Sequence, residues 1–191
     1  MGTNIFLDIL NSLQLLFVGY TPAAAFGIAI GILVGINRLI YQICKRLFQI
    51  PHSVTPIAFL PLALILLRQP EPASIVVVFV GSLWTIIVQT AAGVQAFRNR
   101  GNNLQLAIEY IFYALRQGVW VAWFAVIATE MLTGGSGVGF LLWDAYNNGN
   151  INYIIEAIAY IGTIGFLLDQ ILELTAFLVS KLLPKPKEVD E

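Results

Sequence analysis

Long apolar runs separated by brief polar passages organise the whole chain. They extend from about Ser12 to Ile36, Val54 to Leu67, Ser74 to Ala96, Leu106 to Leu132 and Ile151 to Ser180. A helix rising 1.5 Å per residue needs about 20 apolar residues to cross a hydrocarbon core of ~30 Å. Every run except the second reaches that length. The second is punctuated by Pro51, Pro56, Pro61 and Pro70, and its 14 or so residues reach only about 21 Å. That pattern predicts a broken or kinked helix packed among others. Residues 5–12, IFLDILNS, predict an interfacial helix leading into the first span; they lack the basic start of a cleaved signal. The expected fold is all-α: a polytopic transmembrane bundle of about five spans. It forms one domain over residues 1–183, followed by a solvated tail, PKPKEVDE, over 184–191.

Composition agrees with lipid as the solvent. Hydrophobic residues make up 58% of the 191 and charged residues 11%, against about a quarter charged in soluble domains; mean hydropathy is +0.81. A net charge of −1, with no basic patch interleaved with aromatics, argues against nucleic acid as a partner. The single Cys44 excludes an internal disulfide or a multi-cysteine metal site. It adjoins Lys45 and is a candidate for acylation in a suitable host, with interfacial packing as the default. His52, the one histidine, has no second base or ligand near it in sequence and reads as an interfacial polar residue. No nucleophile–base set, paired catalytic carboxylates or HExxH motif occurs. The chain is not read as an enzyme, and no cofactor or metal is expected.

Charge placement orients the spans. Residues 1–37 hold no Lys or Arg; Arg38, Lys45 and Arg46 follow the first span, Arg98 and Arg100 the third, and Lys181, Lys185 and Lys187 the fifth. The excess of basic residues on cytoplasmic loops then predicts an outer N-terminus and a cytoplasmic C-terminus, with only Arg68 at an opposite loop.

Few positions suggest chemistry. Gly19, Ala23, Gly27, Gly31 and Gly35 repeat every four residues and mark a face for close helix packing, with a substrate path as the alternative. The loop at Gly134, Gly135, Gly137 and Gly139 lacks the Lys-Ser/Thr of a phosphate cradle. It predicts a tight turn after Glu130 into a short re-entrant or interfacial helix, with Trp143 and Tyr146 at headgroup depth and Asp144 between them. Arg116 lies deep in the fourth span and Asp169 and Glu173 at similar depth in the fifth. A charge there is costly unless paired, so an ion pair is expected, with an anion-attracting guanidinium as the alternative. Glu109 is expected near the inner interface, and Glu156 near an outer vestibule.

Taken together, EMLTGGSGVGFLLWDAYN, YIFYALRQGVWVAWFAVIATEM, VGYTPAAAFGIAIGILVGINRLIYQI, PIAFLPLALILL, SLWTIIVQTAAGV and YIGTIGFLLDQILE resemble the permease subunits of ABC importers for nitrate, bicarbonate and sulfonates. The likeness is strongest to the nitrate/bicarbonate branch and covers about Leu13 to Glu173. It implies the MetI-like permease fold and alternating access for a small oxyanion. It also implies self-association or other membrane subunits as partners, an ABC ATPase and an external solute-binding protein. The membrane implied is the plasma membrane of a prokaryote, or the thylakoid of a photosynthetic host. Two departures stand against the pattern. Family members usually begin with one more span. They also carry a longer cytoplasmic loop, E-A-A-x-x-x-G with an I-x-L-P-like end, that docks on the ATPase; here FRNRGNNLQ, residues 97–105, predicts only a turn between antiparallel helices. Two functions follow: an oxyanion permease subunit with impaired or absent ATPase coupling, or an uncoupled structural or assembly subunit of a larger membrane complex.

Overall fold

The computed structural model describes residues 5–47, 54–99 and 104–182, and among these it is helical with no strand. His52, the centre of the 97–105 turn and the 184–191 tail lie outside the described residues. The helices are α1 (Ile5–Ile36), α2 (Arg38–Leu47), a 3-10 turn (Pro56–Phe59) leading into α3 (Leu60–Leu67), α4 (Pro70–Asn99), α5 (Leu104–Thr133), α6 (Val138–Asn147) and α7 (Ile151–Leu182).

Among the described residues, four helices rather than five have the length and composition to cross a membrane: α1, α4, α5 and α7. The expected second span is the apolar piece Pro56–Leu67, about 20 Å long at 3-10 and α rises. Pro56 and Pro61 sit at the first turns of its two parts, where a missing N–H costs nothing. Arg68 ends it in the left-handed conformation at φ 54°, its N–H bonded to the Leu64 carbonyl at 2.9 Å, and Pro70 starts α4. A second correction concerns residues 5–12. They are no separate interfacial helix but the first turns of α1, which runs 32 residues.

The core is built on α1 against α4. A Cβ added to Gly19, Gly27, Gly31 or Gly35 would lie 2.5–2.8 Å from side-chain carbons of Val78, Ile86, Thr90 and Val94 respectively. Each glycine thus receives a β-branched side chain of α4, and Ala23 between them is fully buried. Each partner lies 59 positions beyond its glycine, so the two helices run parallel in one fixed register. Such close approach lets backbones meet where no hydrophobic drive exists between lipid-solvated helices.

The other pairs are antiparallel. Gly93 meets Tyr110, Ile86 meets Gly118 and Gly81 approaches Val121 across α4 and α5. Trp123 donates its Nε1–H to the Ile161 carbonyl at 3.1 Å across α5 and α7. Tyr20 Oη donates to the Leu115 carbonyl at 2.9 Å, joining α1 to α5. A direction shared by α1, α4 and α7, with α5 reversed, sets Ile5 and Leu182 at opposite faces of the bundle. Beside α4, Pro56 packs on Gly81, so the piece Pro56–Leu67 ascends only half of the return path from α1 to α4.

Candidate functional site: two polar centres in an apolar bundle

The first centre sits where α6 begins. The glycines at 134, 135 and 137 adopt φ of 73°, 103° and 111°, a region that disfavours side chains. The loop they form bends the chain around Glu130, a residue only 4% exposed. A Cβ on Gly137 would strike the Glu130 carboxylate, and one on Gly139 the Ile127 carbonyl.

The opening N–H groups of a helix have no partner within it. Here they are satisfied by other helices. Gly137 N–H donates to Asp8 Oδ1 at 3.1 Å, Val138 N–H to Ser12 Oγ at 2.9 Å and Gly139 N–H to Glu130 Oε2 at 2.8 Å. Ser12 Oγ in turn donates to Glu130 Oε1 at 2.7 Å. Asp8, Ser12 and Glu130 are all buried, so three side chains from α1 and α5 cap α6 out of water. Carboxylates suit the positive end of a helix. With those positions filled by the chain's own groups, the glycine loop offers no free N-terminus to a phosphate or other anion. Beside it opens a polar cleft of about 360 Å³, lined by Asn11, Gln14, Glu71, Glu130 and Ser136. Trp143 and Tyr146 stack at 5.1 Å on α6, and both are exposed, as is Asp144.

The second centre lies near mid-bundle. Arg116 donates from Nε to Asp169 Oδ1 at 2.7 Å and from Nη2 to Asp169 Oδ2 at 2.6 Å. Its Nη2 also lies 3.1 Å from Glu173 Oε2. The fork-on-fork geometry is the strong form of the arginine–carboxylate pair. Two carboxylates face one guanidinium, which leaves no excess positive charge to draw an anion. Side-chain exposure is 34% for Arg116 and Asp169 and 54% for Glu173, so part of the group looks outward. An apolar groove of about 450 Å³ is lined by Trp120, Trp123, Phe124, Gly165 and Phe166, with Asp169 in its wall.

The remaining positions are apart from both centres. Glu109 is exposed, and Glu156 accepts from Tyr160 Oη at 2.8 Å. Cys44 is half-buried on α2. Among the described residues no cluster of three or more His, Cys, Asp or Glu is placed to hold a metal ion. Sequence reasoning missed Asp8, Ser12 and Gln95, whose Nε2–H donates to the Gly35 carbonyl at 2.6 Å. Asp8 and Ser12, four apart in an apolar helix, share one face; that spacing was the available signal.

No family model matches the chain. The nitrate import permease protein of Leptolyngbya laminosa is 40% identical over 94% of this chain and 70% of its own length. This chain belongs to the nitrate and bicarbonate import permeases. The corresponding nitrate permease of Synechocystis is 39% identical over 93% of this chain and 70% of its own. The bicarbonate transport system permease protein of Synechococcus elongatus is 36% identical over 89% and 68%. The permease is therefore an all-α integral membrane protein of the transport class, and its relatives are transport permeases rather than enzymes.

Proposed function

We propose that this permease is the membrane-spanning subunit of an importer for a small oxyanion, with ATPase coupling weakened or lost at the turn between α4 and α5. The observation that carries the transport reading is 36–40% identity along almost the whole chain to nitrate and bicarbonate permeases. The coupling reading draws on the short connection. The helix α4 ends at Asn99 and α5 starts at Leu104, and the two pack back to back from Gly93 and Tyr110 onward. Residues 100–103 are too few for a helix that could seat in an ATPase groove. The match to the Leptolyngbya permease runs over 197 positions, more than the 191 residues of this chain; the relative carries residues inside the match that this chain lacks.

In this reading Arg38, Arg46, Arg98 and Lys181 face the cytoplasm, and the α6 end faces outward toward a solute-binding protein. The permease acts as a dimer, or with a second membrane subunit. The turn also favours a second role, that of a structural subunit in a larger membrane complex.

Mild-detergent purification of the native protein tests this. The expected result is a membrane partner with no stoichiometric ATPase, and recovery of ATPase binding when a family-type coupling loop is grafted between Val94 and Leu106. An ATPase already bound to the native chain, with ATP-stimulated uptake, would overturn the uncoupled part. Purification with an unrelated assembly, and no ATPase binding or uptake after the graft, would favour the structural role over transport.

A further inference from the structure

The helix α2 divides its circumference into three sectors. Leu39, Ile40, Ile43 and Leu47 occupy one, and all four are exposed, Leu39 by 70% and Ile43 by 61%. Arg38, Gln42 and Arg46 occupy another and are exposed as well. Tyr41 and Cys44, both half-buried, form the third; α2 touches α1 and α4. The helix holds three basic residues, Arg38, Lys45 and Arg46, and no acidic one.

Its position is fixed by its neighbours. Asn37 alone separates it from α1, and Asn37 Oδ1 caps it by accepting from the N–H of Leu39 at 2.9 Å and of Ile40 at 3.3 Å. The last turns of α1 also expose apolar side chains, Leu33 by 68% and Ile36 by 52%, so exposed apolar residues run from the end of α1 into α2. The fixed register of α1 and α4 brings Arg98, also exposed, level with the start of α2. Among the described residues, no carboxylate engages Arg38, Arg46 or Arg98.

We propose that α2 lies in the bilayer interface and binds anionic phospholipid headgroups of the leaflet where α1 ends. An amphipathic helix with a basic polar face takes up that position, its apolar sector sunk below the headgroups. Arg38 and Arg46, joined by Arg98, then meet lipid phosphates. Each contributes an electrostatic attraction that salt screens. The surface adds an anchor for α2 to its contacts with α1 and α4.

The full chain reconstituted in vesicles, with spin-labelled phosphatidylglycerol or phosphatidylcholine as probe, tests the assignment. The motionally restricted lipid should favour phosphatidylglycerol several-fold, with the preference falling as salt rises. Arg38→Gln with Arg46→Gln should remove most of that several-fold preference at low salt. A nitroxide at Ile43→Cys, in a Cys44→Ser background, should be reached by oxygen and shielded from a polar nickel reagent. Equal affinity for both lipids, or a preference indifferent to salt, overturns the proposal. So does an unchanged preference in a folded double variant, or a residue 43 open to nickel. Dipolar broadening between labels on two copies would instead assign the apolar sector to a second copy of the chain. Should the double variant fail to fold, lipid selectivity and salt dependence of the native chain decide.

Discussion

Ser12 and Glu130, 118 positions apart, share a buried 2.7 Å hydrogen bond, and the same Ser12 oxygen accepts from the Val138 N–H. One hydroxyl thereby joins three helices. Its donor capacity goes to the carboxylate and its acceptor capacity to the backbone.

Ser12→Ala strips a partner from both Glu130 and Val138 with little change in volume. Two buried polar groups left short should cost about 1–3 kcal/mol each, visible as a fall in melting temperature in detergent. Glu130→Gln should be milder than Glu130→Ala, because an amide oxygen can still accept from Gly139. Equal losses for the two would show that the Gly139 bond contributes nothing.

The α1–α4 contact makes a position-specific prediction. Gly31→Val forces a side chain against Thr90, whereas a Cβ at Gly162 on α7 meets nothing within 4 Å. Gly31→Val should separate or misfold the pair. Gly162→Ala should be neutral, or stabilising by up to about 1 kcal/mol through helix propensity. Thermal unfolding of both in one detergent compares them, and equal effects would contradict the close packing.

Thr90 presents a different case. Its Oγ1 is buried with no hydrogen-bond partner, while its Cβ fills the hollow at Gly31. Thr90→Val keeps the shape and removes the stranded hydroxyl, so stability should hold or rise by about 1 kcal/mol. A loss larger than that would place an unseen partner on the hydroxyl.

Removing Arg116 leaves Asp169 and Glu173 facing each other inside the membrane. Arg116→Ala should lower the detergent melting temperature more than a substitution at exposed Tyr113, by an amount corresponding to about 2–3 kcal/mol. Adding Asp169→Asn and Glu173→Gln to Arg116→Ala should recover part of the loss, because the stranded charges go with their partner. Failure of that triple variant to improve on the single one would mean the ion pair is not what Arg116 contributes.

The sequence showed the helices more clearly than their partners. Runs of apolar residues placed α4, α5 and α7 within a few residues of their ends, because hydrocarbon demands that pattern wherever the helix goes. The first and second runs were harder. Asp8 and Ser12 break the apolar pattern, so residues 5–12 read as a separate interfacial piece. In the fold both polar groups are consumed by the α6 N-terminus, and α1 runs through. The prolines flagged the break before α3, but not that Pro56 would rest on Gly81. The spacing of Gly19, Gly27, Gly31 and Gly35 marked a face, yet nothing in it named Val78, Ile86, Thr90 and Val94 or a parallel register. The centre at the start of α6 was legible as a residue and not as a neighbourhood: Glu130 stood out beside its glycines, while its contact with Ser12 came from a helix more than a hundred residues away.

The parallel pairing of α1 with α4 also bears on biogenesis. Hairpins such as α4 and α5 can close as soon as both halves leave the ribosome. A glycine of α1, by contrast, waits for a knob synthesised 59 residues later, about 3–12 s at common elongation rates. During that interval the glycine face of α1 stands without the side chains that will fill it.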